Sequence, residues 1–135
     1  MSKERADQRM ADVFSEWAQH IEAIESGYEL MLAYAAQGIE GDDAPDSQIR
    51  HALKEMNNAL DHLGDSTARI AEERELVDYR NFLDEMNADA KRAQAGINLV
   101  LGKPAISSQL IDNLNASIHL RALLTDLFLI DEALK

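Results

Sequence analysis

The sequence predicts an all-α fold, an antiparallel up-down-up-down four-helix bundle, and three observations carry that prediction. Apolar residues recur in a sustained 4-3 rhythm along most of the chain. Only two prolines and six glycines interrupt it, whereas Ala, Leu, Glu, Met and Gln, which lose little side-chain freedom in a helix, are plentiful. The segments between turn signals are nearly equal in length, which suits antiparallel neighbours joined by short loops. β-branched runs and hairpin dipeptides are missing, so no sheet is expected. At 135 residues the chain reads as a single domain, 1–135, long enough to bury a real core.

The first helix is expected over about 10–37. Met10, Phe14, Trp17, Ile21, Ile24, Tyr28, Met31 and Ala35 form its seam, which Val13 and Leu32 widen. Gly38 follows where a left-handed cap commonly ends a helix. Residues 38–46, GIEGDDAPD, are turn chemistry, and Asp46 or Ser47 after Pro45 suits the start of a second helix.

The second helix, about 47–73, carries Ile49, Leu53, Met56, Leu60, Leu63, Thr67 and Ile70 in the same rhythm, which passes through Gly64 in phase. Continued, that phase would put Arg74 in the seam. The next good seam is Tyr79, Leu83, Met86, Ala90, Ala93, Ile97 and Val100, two positions out of step, which no single three- or four-residue insertion explains. A tight reversal within Glu72–Glu75 accounts for the offset and sets Leu60 across from the Tyr79–Ala90 stretch; one long helix kinked at Gly64 is the rival. The third helix, about 77–101, stops at Gly102-Lys103-Pro104.

The fourth helix, about 108–134, begins after Ser107, with Ile106 and Ile111 placed as a hydrophobic staple. Each of the four spans on the order of 40 Å at about 1.5 Å per residue. Leu120, Leu123, Leu124, Leu127, Phe128, Ile130 and Leu134 cover nearly half of its circumference, and Ile118 and Leu129 fall on the other side. One core-facing stripe needs only about 100° of arc. The excess marks Ile118, Leu120, Leu127, Leu129 and Ile130 as candidate protein-binding residues, with a second copy of the chain as the expected partner.

Charge supplies the second functional signal. The net charge is −12, and no Lys or Arg occurs between Arg9 and Arg50. Asp12, Glu16, Glu22, Glu25 and Glu29 give the first helix an unrelieved acidic face, which points to a basic protein partner and away from nucleic acid and membrane surfaces. The amino-terminal stretch MSKERADQRMADV has no apolar core of signal-peptide type, and no apolar run approaches membrane-spanning length, so the cytoplasm is the expected location.

Catalytic motifs are missing. There is no cysteine, no Gly-x-Ser-x-Gly elbow, no P-loop and no dinucleotide fingerprint. Glu-x-x-His, which aims two metal ligands at a bundle axis, does not occur. Glu16 with His20, and His51 with Glu55, are i,i+4 pairs, and the loop Glu40-Gly41-Asp42-Asp43 lacks the alternating ligands of an EF-hand. No metal, cofactor or catalytic residue is therefore expected. The expectation is a non-enzymatic protein-interaction module of adaptor, chaperone-like or regulatory type, acting as a homodimer. A small-ligand site near Tyr28 and Tyr34, at the end rich in alanine (Ala33, Ala35, Ala36, Ala88, Ala90, Ala93, Ala95), is one alternative.

The other alternative is phosphotransfer. His51-Ala52-Leu53-Lys54 resembles the His-x-Leu-Lys of histidine phosphotransfer domains, which are acidic four-helix bundles. The resemblance covers these four residues and implies that His51 accepts phosphate from a receiver or kinase, with Lys54 neutralising it. The family has glycine one position after the lysine, where this chain has Glu55.

Overall fold

The computed structural model describes residues 3–73 and 79–134. Within them the protein is all-helical, with helices α1 (Lys3–Ala36), α2 (Gln48–Glu73), α3 (Arg80–Leu101), α4 (Ser108–Asn115) and α5 (Ile118–Ala133). The count differs from the four expected. The fourth segment is broken at Ala116–Ser117: the Ala116 and Ser117 amides fold back on Asp112 O and Leu114 O, and Ser117 is then extended (φ −57°, ψ 129°), so Ile118 restarts the helix in a new direction. A short 3-4 apolar pattern cannot reveal such a break, because Leu114 and Leu120 stay buried on either side of it.

Helix lengths are also unequal. α1 runs 34 residues and starts at Lys3 rather than near Met10. Its first turns, rich in Lys, Glu, Arg and Gln, are exposed and propagate the helix on propensity, with Gln8 donating to Asp12 and Arg9 lying 4.0 Å from Glu73. Its end falls where expected: Gly38 takes φ +67°, a conformation only glycine adopts without strain.

The buried residues of all five helices form one contiguous apolar cluster. In α2 every seam residue is buried, and the helix runs unbroken through Gly64. In α3 Met86, Ala90, Ala93, Ile97 and Val100 are buried, with Tyr79 and Leu83 at the margin. α1 is rotated from its expected seam: Val13, Trp17, Ile21, Ile24, Gly27, Met31 and Tyr34 are buried, Phe14, Tyr28 and Ala35 are marginal, and Leu32 is exposed. Gly27 explains the rotation. A Cβ there would stand 2.2 Å from Met56 Cγ, so α1 turns its smallest residue to α2 and the two backbones close up.

Side-chain pairs fix the register of neighbours. Trp17 meets Thr67 while Gly27 meets Met56, so α1 and α2 are antiparallel. Asn57 meets Asn98, Asp61 meets Gln94 and Gly64 meets Asn87, so α2 and α3 are antiparallel as well. One helix kinked at Gly64 could not make these contacts. Of the reversal expected within Glu72–Glu75, Glu72 and Glu73 belong to α2, and residues 74 and 75 lie outside the described residues. The Gly64–Asn87 and Asp61–Gln94 contacts set Leu60 level with about residues 91–95, beside the Ala90 end of the expected stretch.

At one end the α1–α2 and α3–α4 loops are tied together. Asp42 and Ile106 exchange both backbone hydrogen bonds at 3.0 Å. Ser108 Oγ donates to Tyr34 O at 2.6 Å and accepts from Ile39 N at 2.8 Å, and Tyr34 Oη donates to Ile106 O. Ser107 Oγ caps α4 by accepting from Leu110 N, and the staple residues Ile106 and Ile111 are fully buried. Arg50 closes the same end, donating from Nη1 to Leu101 O and from Nη2 to Lys103 O, both at 2.8 Å. Leu101 ends α3, where helix carbonyls lack intrahelical partners, and Lys103 lies two residues beyond it.

Candidate functional site

α5 is positioned by α3, the helix it packs against most extensively. Leu120, Leu123, Leu124, Leu127, Ile130 and Leu134 face the core and are buried. This corrects part of the expected docking surface: Leu120, Leu127 and Ile130 serve the chain's own interior, because i, i+7, i+10 spacing puts them on the stripe that α3 covers. The other two candidates point outward, Ile118 at 74% exposure and Leu129 at 56%, with Phe128 beside them at 61%.

Five large apolar side chains are conspicuously exposed among the described residues, and three of them are on α5; Leu32 and Leu99 are the others. Ile118, Ala122, Thr125 and Leu129 follow i, i+4, i+7, i+11 spacing and so share one line along the helix, which Phe128 flanks. Thr125 hides its hydroxyl by donating to Arg121 O at 3.0 Å, so the line is apolar at that point too. Exposed Arg121 stands near one end and exposed Glu132 near the other.

The acidic face is four residues rather than five. Asp12, Glu22, Glu25 and Glu29 are exposed along α1. Glu16 instead turns towards α2: its Oε1 accepts from Arg69 Nη2 at 3.0 Å and from Ser66 Oγ at 3.5 Å, and His20 Nε2 lies 3.6 Å away. That last distance is an ion-pair spacing too long for a hydrogen bond, which leaves His20 Nε2 covered and without a donor or acceptor partner. Desolvation raises the Glu16 carboxyl, but the charge and hydrogen bond of Arg69, together with His20, outweigh it and hold the group below its ordinary value. The His20 ring stacks on that of His62, with centroids 5.6 Å apart.

His51 is exposed at the end of the first turn of α2, with its Nε2 3.8 Å from Glu55 Oε1. Among the described residues no three side chains of His, Cys, Asp or Glu converge as a metal site would require, and no described helix is long and apolar enough to cross a membrane. Near the alanine-rich end, Tyr34 is buried and its hydroxyl engaged. Burial raises the pKa of that hydroxyl, with a smaller push from Asp42. A groove of about 540 Å³ there lies between the end of α1 and the start of α4, lined by Ala35, Gly38, Ile39, Ser108 and Asp112 among others.

Comparison with protein-family models, with curated proteins and with solved structures gives no match for this chain.

Proposed function

We propose that the protein is a non-enzymatic interaction module that pairs with a second copy of itself through the outer face of α5. The observation behind this reading is the apolar line of Ile118, Ala122 and Leu129 with Phe128, lying outside a stripe that already fills the core. Leaving such surface in water costs roughly 25 cal/mol per Å². A two-fold axis, the commonest symmetry of soluble oligomers, covers it with itself. Charge favours a second copy as the occupant. Arg121 and Glu132 lie towards opposite ends of the line, so an antiparallel copy brings Arg121 towards the partner's Glu132.

In this reading α4 and α5 together take the place of a fourth arm in an up-down-up-down bundle. The exposed acids of α1 stay clear of the dimer contact and select a basic protein as the further partner. Adaptor, chaperone-like and regulatory roles all use a surface of this kind, and the cytoplasm suits them. Phosphotransfer through His51 is the weaker alternative, because the Glu55 carboxylate would repel a phosphoryl group on the ring. Ligand binding at the alanine-rich end is weaker too, because the groove there is open and Tyr34 is already satisfied.

Light scattering at micromolar concentration is the test. The wild-type chain is expected to have the mass of a dimer, and Leu129→Glu or Ile118→Glu the mass of a monomer. A wild-type monomer across that range would remove the reading.

A further inference from the structure

A groove of about 340 Å³ lies between the start of α2 and the loop that follows α3, and Arg50, Lys54 and Lys103 line it. The chain carries 25 acidic residues against 13 basic ones. Among the described residues that line this groove, Asp43 is the one acid. The local charge is therefore the reverse of the chain's.

Two elements bring these cations together. Arg50 and Lys54 are four residues apart on α2 and share one face of it. Lys103 comes from the opposite wall, and Arg50 anchors its backbone: Nη2 donates to Lys103 O and Nη1 to Leu101 O, both at 2.8 Å. The two hydrogen bonds between Asp42 and Ile106 tie together the loops that carry Asp43 and Lys103.

The same contacts remove the acceptors that a helix end would otherwise present. The last carbonyls of a helix form its negative pole. Here Asn98 O accepts from Gly102 N, Val100 O from Lys103 N, and Leu101 O and Lys103 O from Arg50. Donors remain in excess. A guanidinium has five N–H groups, of which the two carbonyls take two, and each ammonium has three. Among the described residues no carboxylate lies within ion-pair distance of Lys54 or Lys103. Like charges four apart on a helix repel, as Arg50 and Lys54 do, until an anion offsets them.

We propose that this groove binds the phosphate group of a small molecule, with Lys54 and Lys103 as its charge partners and Arg50 as a fixed donor. Three cations against one carboxylate suit a doubly charged oxyanion, whose several oxygens accept from separate donors. A singly charged carboxylate would use fewer of them. A nucleic acid or an anionic membrane is disfavoured, because exposed Glu40, Asp46 and Glu55 surround the groove in sequence and repel a continuing polyanion. His51 does not line the groove and pairs with Glu55 instead. The site shares no residue with the outer face of α5 and stands independently of the reading given to that face.

NMR amide shifts of the intact chain, titrated with inorganic phosphate and separately with phenyl phosphate at constant ionic strength, test the site. Saturable shifts are expected over the millimolar range, confined to residues near 50–54 and 101–105. Tighter binding of phenyl phosphate would mark an organic ester as the ligand, and equal binding the free ion. Lys54→Gln and Lys103→Gln are each expected to weaken binding by about threefold to fivefold, the scale of an exposed charge pair. Both side chains are exposed, so the fold is expected to stand. Lys91→Gln, in the middle of α3, is expected to change nothing. Shifts that never saturate, binding unchanged in the Lys54→Gln/Lys103→Gln double variant, or acetate binding as tightly as phosphate would each overturn the proposal.

Discussion

Trp17 Nε1 donates to Thr67 Oγ1 at 3.0 Å, and Thr67 Oγ1 in turn donates to Leu63 O at 2.8 Å. Both side chains are buried, and Phe14 stands edge-on to the indole with ring centroids 6.2 Å apart. This chain of donors places α1 against α2 at one height, because an indole N–H without a partner in the core is unfavourable. Trp17→Ala is expected to cost about 3–5 kcal/mol in chemical denaturation. Thr67→Val, which keeps the volume and removes the acceptor, is expected to cost about 1–3 kcal/mol, whereas Thr67→Ser should recover most of that. A Thr67→Val variant as stable as the wild type would mean that the hydrogen bond is incidental to the packing.

Arg50 joins α2 to the end of α3 through the two carbonyls of Leu101 and Lys103. A planar guanidinium serves both at once, and an ammonium at the same position would serve one. Arg50→Lys is therefore expected to lower stability by about 1–2 kcal/mol. Amide exchange should show the loss concentrated in the last turn of α3, and uniform loss along α2 would assign Arg50 a different role.

Asn115 ends α4 with both amide atoms covered and without hydrogen-bond partners. A buried polar group in that condition is destabilising, and replacement by an apolar side chain of similar shape removes the penalty. Asn115→Leu is expected to raise the denaturation midpoint by an amount equivalent to about 1 kcal/mol. A lower midpoint would show that the amide has a partner the geometry does not reveal.

Glu16 gives the stability profile a dependence on its acid side. Its carboxyl is held below the ordinary 4.5 by Arg69 and His20 against a desolvation that raises it. Its contribution is therefore present above about 4.5 and lost as pH falls through its lower, folded value. Glu16→Gln is expected to flatten the acid limb of the stability profile and leave the limb near neutrality unchanged. An unaltered acid limb would leave the Arg69 contact without energetic weight.

The helical class and the α2 seam were legible because the seam residues Ile49 to Ile70 face one interior for about six turns, so periodicity and burial coincide. The reversal between α2 and α3 was legible as a phase offset, and the Asp61–Gln94 and Asn57–Asn98 pairs show its consequence. The break at Ala116–Ser117 was not, because it rests on one extended residue and leaves the apolar spacing intact on both sides. The rotation of α1 was missed because Gly27, which carries no hydrophobic signal, is the residue that touches Met56. Of the residues expected to dock a partner, Ile118 and Leu129 are exposed, while Leu120, Leu127 and Ile130 are buried in the chain's own core. A helix with two apolar sides does not say which side the rest of the chain covers.

The chain contains no cysteine, so a single introduced thiol reports on one position alone. Maleimide labelling of Leu129→Cys, followed as protein concentration rises through the micromolar range, measures directly whether the outer face of α5 becomes covered. Ala36→Cys, at an exposed position at the end of α1, serves as the control. The expected result is a labelling rate at position 129 that slows as concentration rises while the rate at position 36 stays constant. Equal, concentration-independent rates at the two positions would contradict self-association through α5.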